Sequence, residues 1–444
     1  MDRNKILSVD LEITRDGKRL LRLGAIAGDQ QLDIKGHHPQ SFIKLNQLAQ
    51  HAHYLLGHNI ISHDLPWLLK HNPDCTHLRC LPIIDTLFLS PLAFPKNPYH
   101  RLVKDYKIVK DSYNDPVADA RLALSVFDDQ LAAFEAQYRA NGQLIELYYY
   151  LFSRADTGSE LQGFHTSGLN TKGLNTRGLQ QVMAWVMGKP KDLTIDASYA
   201  DTLIQSNTAG RACPTQLRQV MDQLQANQFN ALCLAYAVAW LQVAGGNSVL
   251  PPWVWHRFPQ VKLILQQLRD QHCGSASCSY CQDNFNSKKY LRLYFEMADF
   301  RSLPDGKPLQ RDIVDAGING KSLLAILPTG GGKSLCYQLP ALIKNQRNAA
   351  LTIIISPLQA LMKDQVDNLK DKAGVEGVAA IYGLITMPER SALLEEVKMG
   401  DIATLYLSPE QLRNRSVKRG IAARQIGAWV FDEANAPSAI VTIC

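Results

Sequence analysis

Little in this sequence would take the chain to a membrane or out of a cell. The longest apolar run, Ala231 to Leu241, is far shorter than the roughly 20 residues a bilayer-spanning helix needs. It reads instead as a buried helix. No cationic, apolar leader follows Met1; Asp2 and Arg3 run straight into a strand pattern, so a secretory signal is not expected. Cysteine is sparse and uneven, nine in 444 residues, which argues against a disulfide framework. A reducing, cytoplasmic location is the expectation, and clustered cysteines then suggest a metal. Extreme charge is absent too. With 46% hydrophobic and 20% charged residues the chain is a folded one, and a net charge of +6 is compatible with a polyanionic partner. The length suggests about three domains.

The most informative stretch present is Leu323 to Pro340, LLAILPTGGGKSLCYQLP. The apolar run Leu323 to Leu327 predicts a buried strand, followed by a glycine turn and an apolar-periodic helix. That order makes a phosphate cradle. Glycines let backbone N–H groups approach an anion, and a helix N-terminus adds its dipole. Thr329, Gly330, Gly331 and Gly332 form the loop, Lys333 would reach the outer phosphates, and Ser334 would ligate Mg2+. Leu327 stands where the strict G-x-x-x-x-G-K-[ST] spacing has its first glycine. The variant P-T-G-G-G-K-S, followed by L-C-Y-Q-L-P, resembles motif I of the RecQ-type DNA helicases.

Further segments carry the same resemblance. LTIIISP (Leu351 to Pro357) and a helix from Leu358 to Lys372, with Lys363, Asp364 and Gln365, resemble motif Ia, which in that family touches the DNA backbone. ATLYLSPEQL (Ala403 to Leu412) resembles motif Ib, and WVFDEA (Trp429 to Ala434) resembles motif II. The resemblance implies ATP with Mg2+ as cofactor and DNA as partner. It implies that Gln310, with Phe300 and Arg301, reads the adenine. Asp432 would hold Mg2+ through water, and Glu433 would orient the attacking water. Alternating strands and helices predict a doubly wound parallel sheet, here an incomplete RecA-like lobe over residues 293–444. Family members read D-E-A-H and continue. This chain reads Asn435 and then APSAIVTIC, so a truncated or frameshifted end without a second lobe is expected, and with it no unwinding by this chain.

Residues 1–140 carry spaced carboxylates. ILSVDLEI (Ile6 to Ile13) alternates as a strand with Asp10 and Glu12 on one face. Asp64 opens a helix after GHNIISH, and Asp119 lies in the first turn of a long amphipathic segment from Asp115 to Tyr138. In that order the four acids resemble the DEDD family of 3′-to-5′ exonucleases, those similar to the DnaQ proofreading subunit. The implied fold is ribonuclease-H-like, a mixed sheet flanked by helices. Four acids can hold two Mg2+ or Mn2+ ions, which stabilise the attacking and leaving oxygens of a phosphodiester. The family usually carries His five residues before the last Asp, or Tyr four before it. Here those positions are Asn114 and Asp115, and Asn has no titratable group. Three readings stay open: the metals activate water unaided, another histidine such as His63 or His100 serves, or the domain binds nucleic acid without cutting it. RNA is an alternative substrate to DNA.

Residues 141–292 read as a helical region. A period-five stretch, SGLNTKGLNTRGL, within Ala155 to Leu179 reads as a polar loop. Cys273, Cys278 and Cys281 stand in HCGSASCSYC at metal-ligand spacing. Cys213 is the chosen fourth ligand, with His272 and His256 as alternatives. A remote cysteine plus a trio resembles the iron–sulfur sites of some DNA helicases and nucleases, so a [4Fe–4S] cluster is expected, with Zn2+ as the alternative. Cys233 reads as core, and Cys75 and Cys80 as binding nothing.

Overall fold

A computed structural model describes the chain except residues 1, 15, 37–38, 73–75, 97–114, 157–175, 191, 244–250, 304, 329, 433–439 and 444. By their described residues the polypeptide forms two compact units. One takes Met1–Pro95, Tyr99–Asn207 and Gln223–Ala239, and the other is built mainly from Thr208–Asp222 and Trp240–Cys444.

The first unit is organised on a five-stranded sheet of order β3-β2-β1-β4-β5. Strands β1 (Ile6–Ile13), β2 (Leu20–Ala27) and β3 (Gln30–Lys35) form an antiparallel meander. Strand β4 (Tyr54–Gly57) runs parallel to β1, and β5 (Ile83–Asp85) parallel to β4. Among the described residues this part of the chain carries the α-helices α1 (Pro39–His51), α2 (Asp64–His71), α3 (Thr76–Cys80) and α4 (Thr86–Ala93). Period-two alternation sorts β1 cleanly. Leu7, Val9 and Leu11 enter the main core with Phe42 and Leu45 of α1, so Ser8, Asp10 and Glu12 face the opposite side. That opposite face is covered by α5 (Pro116–Ala140), to which the Ser8 hydroxyl donates at the Ala120 carbonyl, 2.8 Å.

Helices α6 (Gly142–Asp156), α7 (Arg177–Val186) and α8 (Ala197–Thr208) continue this unit. All three follow residue 140 in the chain. Helix α7 packs on α5, α6 and β5, and a Cβ built on Gly178 would lie 1.9 Å from the Ile83 carbonyl oxygen. Only a glycine lets a helix approach a strand so closely. The end of the period-five stretch is thus not a solvated loop. Thr176 is fully buried with its hydroxyl on the Phe152 carbonyl, and Leu179 is core; most of the rest of the stretch lies outside the described residues.

Helices α9 (Pro214–Gln225) and α10 (Ala231–Leu241) are divided between the two units, and α10 is buried throughout, as its composition requires. Then follow α11 (Pro252–Arg257), α12 (Pro259–Asp270), α13 (Ser279–Asn284), α14 (Ser287–Phe295) and α15 (Leu309–Ile318). The second unit's sheet comprises β6 (Leu323–Ile326), β7 (Leu351–Ile355), β8 (Val378–Ile381), β9 (Thr404–Leu407), β10 (Ile426–Asp432) and β11 (Ile440–Ile443). Its order is β6-β11-β10-β7-β9-β8. The strands β10, β7, β9 and β8 are parallel, as expected. Helices α16 (Lys333–Asn348), α17 (Gln359–Ala373), α18 (Met387–Met399) and α19 (Arg415–Ala422) alternate with the strands. Strand β11 was not expected: it inserts between β6 and β10, antiparallel to both. Its four residues, Ile, Val, Thr and Ile, are all β-branched and suit a strand. Among the described residues no helix is long and apolar enough to cross a membrane.

Candidate functional site

Strand β6 delivers the chain to a loop whose shape its glycines permit. Gly330 and Gly332 hold φ of +77° and +73°, the left-handed region. Gly332 caps α16, so Lys333 and Ser334 open the helix, both half-buried. The loop is braced from the preceding segment. The Arg301 guanidinium donates to the Gly330 carbonyl at 2.6 Å. Buried Gln310 donates to the Gly332 carbonyl at 3.0 Å and accepts from the Arg301 amide at 2.9 Å. A Cβ on Gly332 would lie 2.3 Å from the Gln310 amide nitrogen, so loop and brace fit as one piece. Beside them opens a cavity of about 420 Å³, lined by Arg301, Gln310, Ser334 and Gln338 with the apolar Phe295 and Met297. An apolar wall with a few polar groups, next to a helix N-terminus, suits a flat ring attached to an anion.

Asp432 ends β10 and is buried. Tyr337, one turn along α16, donates its hydroxyl to Asp432 at 3.0 Å and also contacts Ser334, so the two predicted Mg2+ residues share one neighbour. Burial, first of all, pushes the Tyr337 phenol well above its ordinary value, which keeps it a donor. Gln338 donates to Gln365 of α17 at 2.7 Å and to the Tyr406 hydroxyl of β9 at 3.1 Å, tying three motif-bearing elements together. No sequence pattern marks the contacts of Tyr337 or Gln338, because these run between elements. Lys363 and Asp364 lie exposed on α17. Thr329 and Glu433 lie outside the described residues.

In the first unit, Asp10, Glu12 and Asp119 each offer a carboxylate oxygen within 4.8 Å of the others, all half-buried. Two features bring them together. Asp10 and Glu12 are two apart on β1 and share a face. Asp119 arrives because α5 starts directly over Gly24, the register partner of Asp10: a Cβ on Gly24 would lie 2.3 Å from the Pro116 carbonyl carbon and the Val117 nitrogen. Asp115 caps the helix by accepting from Val117 and Ala118, and Arg22, register partner of Glu12, stands 3.5 Å from Asp115.

Asp64 is placed differently from the other three. It is buried, and its Oδ1 accepts from the Leu11 amide at 3.2 Å and meets His63 Nδ1 at 3.1 Å. The pairing of β1 with β4 ends at Ser8, so the Leu11 amide has no strand acceptor on that side and the carboxylate supplies one. Burial raises the Asp64 carboxyl above its usual range. His63 is raised, first by its hydrogen bond to Asp64, with Asp10 and Glu12 adding to it, which puts the ring within electrostatic reach of the acids. His100 and Asn114 lie outside the described residues.

The four predicted thiols converge in the second unit: Cys213, Cys273, Cys278 and Cys281 have Sγ atoms all within 4.8 Å of one another. Cys213 and Cys278 are 3.9 Å apart, Cys273 and Cys281 3.6 Å. The Ser275 amide, more than any other group, lowers the Cys273 thiol to about 7, while burial raises Cys213 and Cys281. His272 is not in the group; its Nδ1 accepts from the Gly274 amide. His256 sits on α11, and Cys233 is buried in α10 with its thiol pushed up to about 12. Cys80 is exposed, and Cys75 lies outside the described residues.

Comparison with known proteins bears on the second unit. Residues 307–438 match the family model for DEAD/DEAH box helicases. The chain is 37% identical over 147 residues to the probable ATP-dependent DNA helicase RecS of Bacillus subtilis, covering 33% of this chain and 28% of that protein. It is 39% identical over 108 residues to the ATP-dependent DNA helicase RecQ of Synechocystis, covering 24% and 21% respectively. With human ATP-dependent DNA helicase Q4 it shares 41% over 106 residues, covering 24% and 8%. The chain thus spans 28% or less of these relatives' length. The mostly parallel α/β sheet accords with a RecA-like helicase lobe, and the matched segment holds Gln310, the glycine loop and Asp432 but not the acid cluster.

Proposed function

We propose that this chain acts on DNA through two phosphate-handling sites: a metal-dependent 3′-to-5′ exonuclease in the first unit and a RecQ-like ATP-binding lobe in the second. The observation that carries the lobe is the glycine loop braced by Arg301 and Gln310 at the head of α16 within a helicase-like segment. Lys333 binds the outer phosphates, Ser334 and Asp432 hold Mg2+, Gln310 faces the base, and Glu433 orients water. Backbone amides and the helix dipole favour the anion before any side chain moves.

For the nuclease the support is the convergence of Asp10, Glu12 and Asp119 on one face of a mixed sheet flanked by helices. Three carboxylates facing a half-open surface repel one another unless a cation lies between them, and oxygen-rich sites suit Mg2+ or Mn2+. Asp64, anchored to the amide between Asp10 and Glu12, is the fourth acid. When bound, the ions supply charge stabilisation to both oxygens of the cleaved phosphodiester. The acids hold and orient, and His63 stands beside them as a proton carrier in place of the residue missing at Asn114.

The test uses 5′-labelled single-stranded DNA and RNA of matched sequence with Mn2+. Shortening from the 3′ end that disappears in Asp10→Ala and persists in Lys333→Ala supports the nuclease. Binding without shortening favours a nucleic-acid binder instead, and faster loss of the RNA favours an RNA substrate. A fluorescent ATP analogue whose binding is lost in Lys333→Ala and kept in Asp10→Ala supports the lobe.

A further inference from the structure

We propose that Cys213, Cys273, Cys278 and Cys281 hold one tetrahedral Zn2+ ion, not an iron–sulfur cluster, and that the ion staples the segment on which the C-terminal end of α16 rests. The sulfur spacing separates the two metals. Four thiolates sharing one central ion at about 2.3 Å, at tetrahedral angles, stand about 3.8 Å from one another. The Sγ pairs at 3.9 and 3.6 Å straddle that value. In a [4Fe–4S] cluster each thiolate binds a different iron and stands outside a body of four metals and four sulfides. Its cysteines must therefore lie much farther apart than ligands of a shared ion, and a nest with every Sγ within 4.8 Å has no room for that body. Disulfides are equally excluded by spacing, since their sulfurs lie about 2.05 Å apart.

The nest is built rather than incidental. Cys213 is fully buried, Cys278 and Cys281 nearly so, and Cys213 comes from a chain segment 60 residues ahead of the trio. Its amide donates to the Leu268 carbonyl of α12 at 3.0 Å, which fixes the thiol's approach. On binding, the four thiols release their protons to solvent and the thiolates coordinate the ion.

What rests on the nest gives the ion its role. Phe285 packs against the cysteines, and the Arg347 guanidinium lies 4.3 Å over the Phe285 ring. Asp270, the last residue of α12 and three before Cys273, accepts from Arg347 at 2.9 Å and from Asn348 at 2.7 and 2.6 Å. Arg347 and Asn348 are the final residues of α16, whose first residue is Lys333. The metal thus holds the buttress under the helix that carries the glycine loop.

Two measurements on the full chain test this, and neither uses nucleotide or DNA. Elemental analysis with an absorption spectrum of freshly purified protein should find about one zinc per chain, no iron and no visible colour. Co2+ in its place should give the visible bands of a tetrahedral thiolate site. Cys213→Ser should lose the metal, and Cys233→Ser should keep it. About four irons with brown absorbance, no metal with four titratable thiols, or two disulfides would each overturn the assignment. Second, a chelator with reductant should speed amide exchange over residues 343–348, with added Zn2+ restoring it. Unchanged exchange after complete zinc removal would overturn the staple.

Discussion

Gly24→Ala is the sharpest probe of the acid cluster, because it adds one methyl group and removes no chemistry. Gly24 is not in the left-handed region, so its backbone does not require glycine. The space does. The new Cβ would sit 2.3 Å from the Pro116 carbonyl carbon and from the Val117 nitrogen, against an ordinary contact of 3.4–4 Å. Backbone atoms cannot rotate away as a side-chain tip can, so the first turn of α5 must retreat by about 1 Å. Overpacking of this kind costs about 1–3 kcal/mol, which leaves a folded population in a unit with so large a core. Asp119 rides on that turn, while Asp10 and Glu12 stay on β1. A retreat of about 1 Å separates a carboxylate from its two partners, and a misplacement of that size costs about 10²-fold in rate.

The assays are Mn2+ titration by electron paramagnetic resonance and shortening of labelled single-stranded DNA, with thermal unfolding as the fold control. Weaker Mn2+ binding and about 10²-fold slower shortening are expected, with a modestly lower melting point. Gly383→Ala, where the nearest atom to a new Cβ is a side-chain nitrogen at 3.9 Å, should change none of these. A Gly24→Ala protein that binds Mn2+ and cuts like the parent would refute the placement of Asp119 by this contact.

The other predictions concern the second unit. Gln310→Ala removes two hydrogen bonds of the loop brace and should weaken binding of a fluorescent ATP analogue about tenfold, from about 0.5–1.5 kcal/mol for each bond. Lys344 is buried with its Nζ on the Gly427 carbonyl, and burial, aided by Arg347, lowers it to about 8. A lowered lysine binds fewer protons folded than unfolded between about pH 8 and 10.4, so its contribution to stability rises with pH across that window and is flat below it. Lys344→Met should therefore be more stable than the parent near neutral pH by about 1–3 kcal/mol, with the difference shrinking toward pH 10 in parallel denaturant titrations. Arg347→Ala leaves Asp270 without its ion-pair partner and should cost about 3 kcal/mol, the low end for such pairs because Asn348 still donates to both carboxylate oxygens and Asp270 keeps some contact with water. A loss below about 0.5 kcal/mol would sink the idea that this ion pair locks the end of α16.

Which residues would gather was legible in the sequence because their types are rare in combination. The glycine loop with Lys333 and Ser334, the D-x-E pair on a strand, and the cysteine trio with Cys213 all came together where expected. The choice between a cluster and a single ion was not legible, since spacing along the chain does not report the distance between sulfurs. Nor was the behaviour of Asp64. Its position at a helix start was readable, but the end of the β1–β4 pairing, which turns it toward the Leu11 amide, depends on a register set by other residues. Strand β11 leaves a readable trace in its β-branched run, but it lies beyond Asn435, where the helicase-like motif order ends.

The least legible residues are those whose function is to be small. Gly24 and Gly178 sit in stretches that read as an ordinary strand and a polar loop, and neither marks a turn. Each matters because another element comes down on it: α5 over Gly24 and α7 over β5 at Gly178. In both cases the information lies in the partner's distance, which no local pattern encodes. The acids of β1 are therefore specified twice, once by their own identity and once by a glycine on the neighbouring strand. A chain that kept Asp10, Glu12 and Asp119 but replaced Gly24 would retain every recognisable motif and lose the geometry on which the proposed site depends.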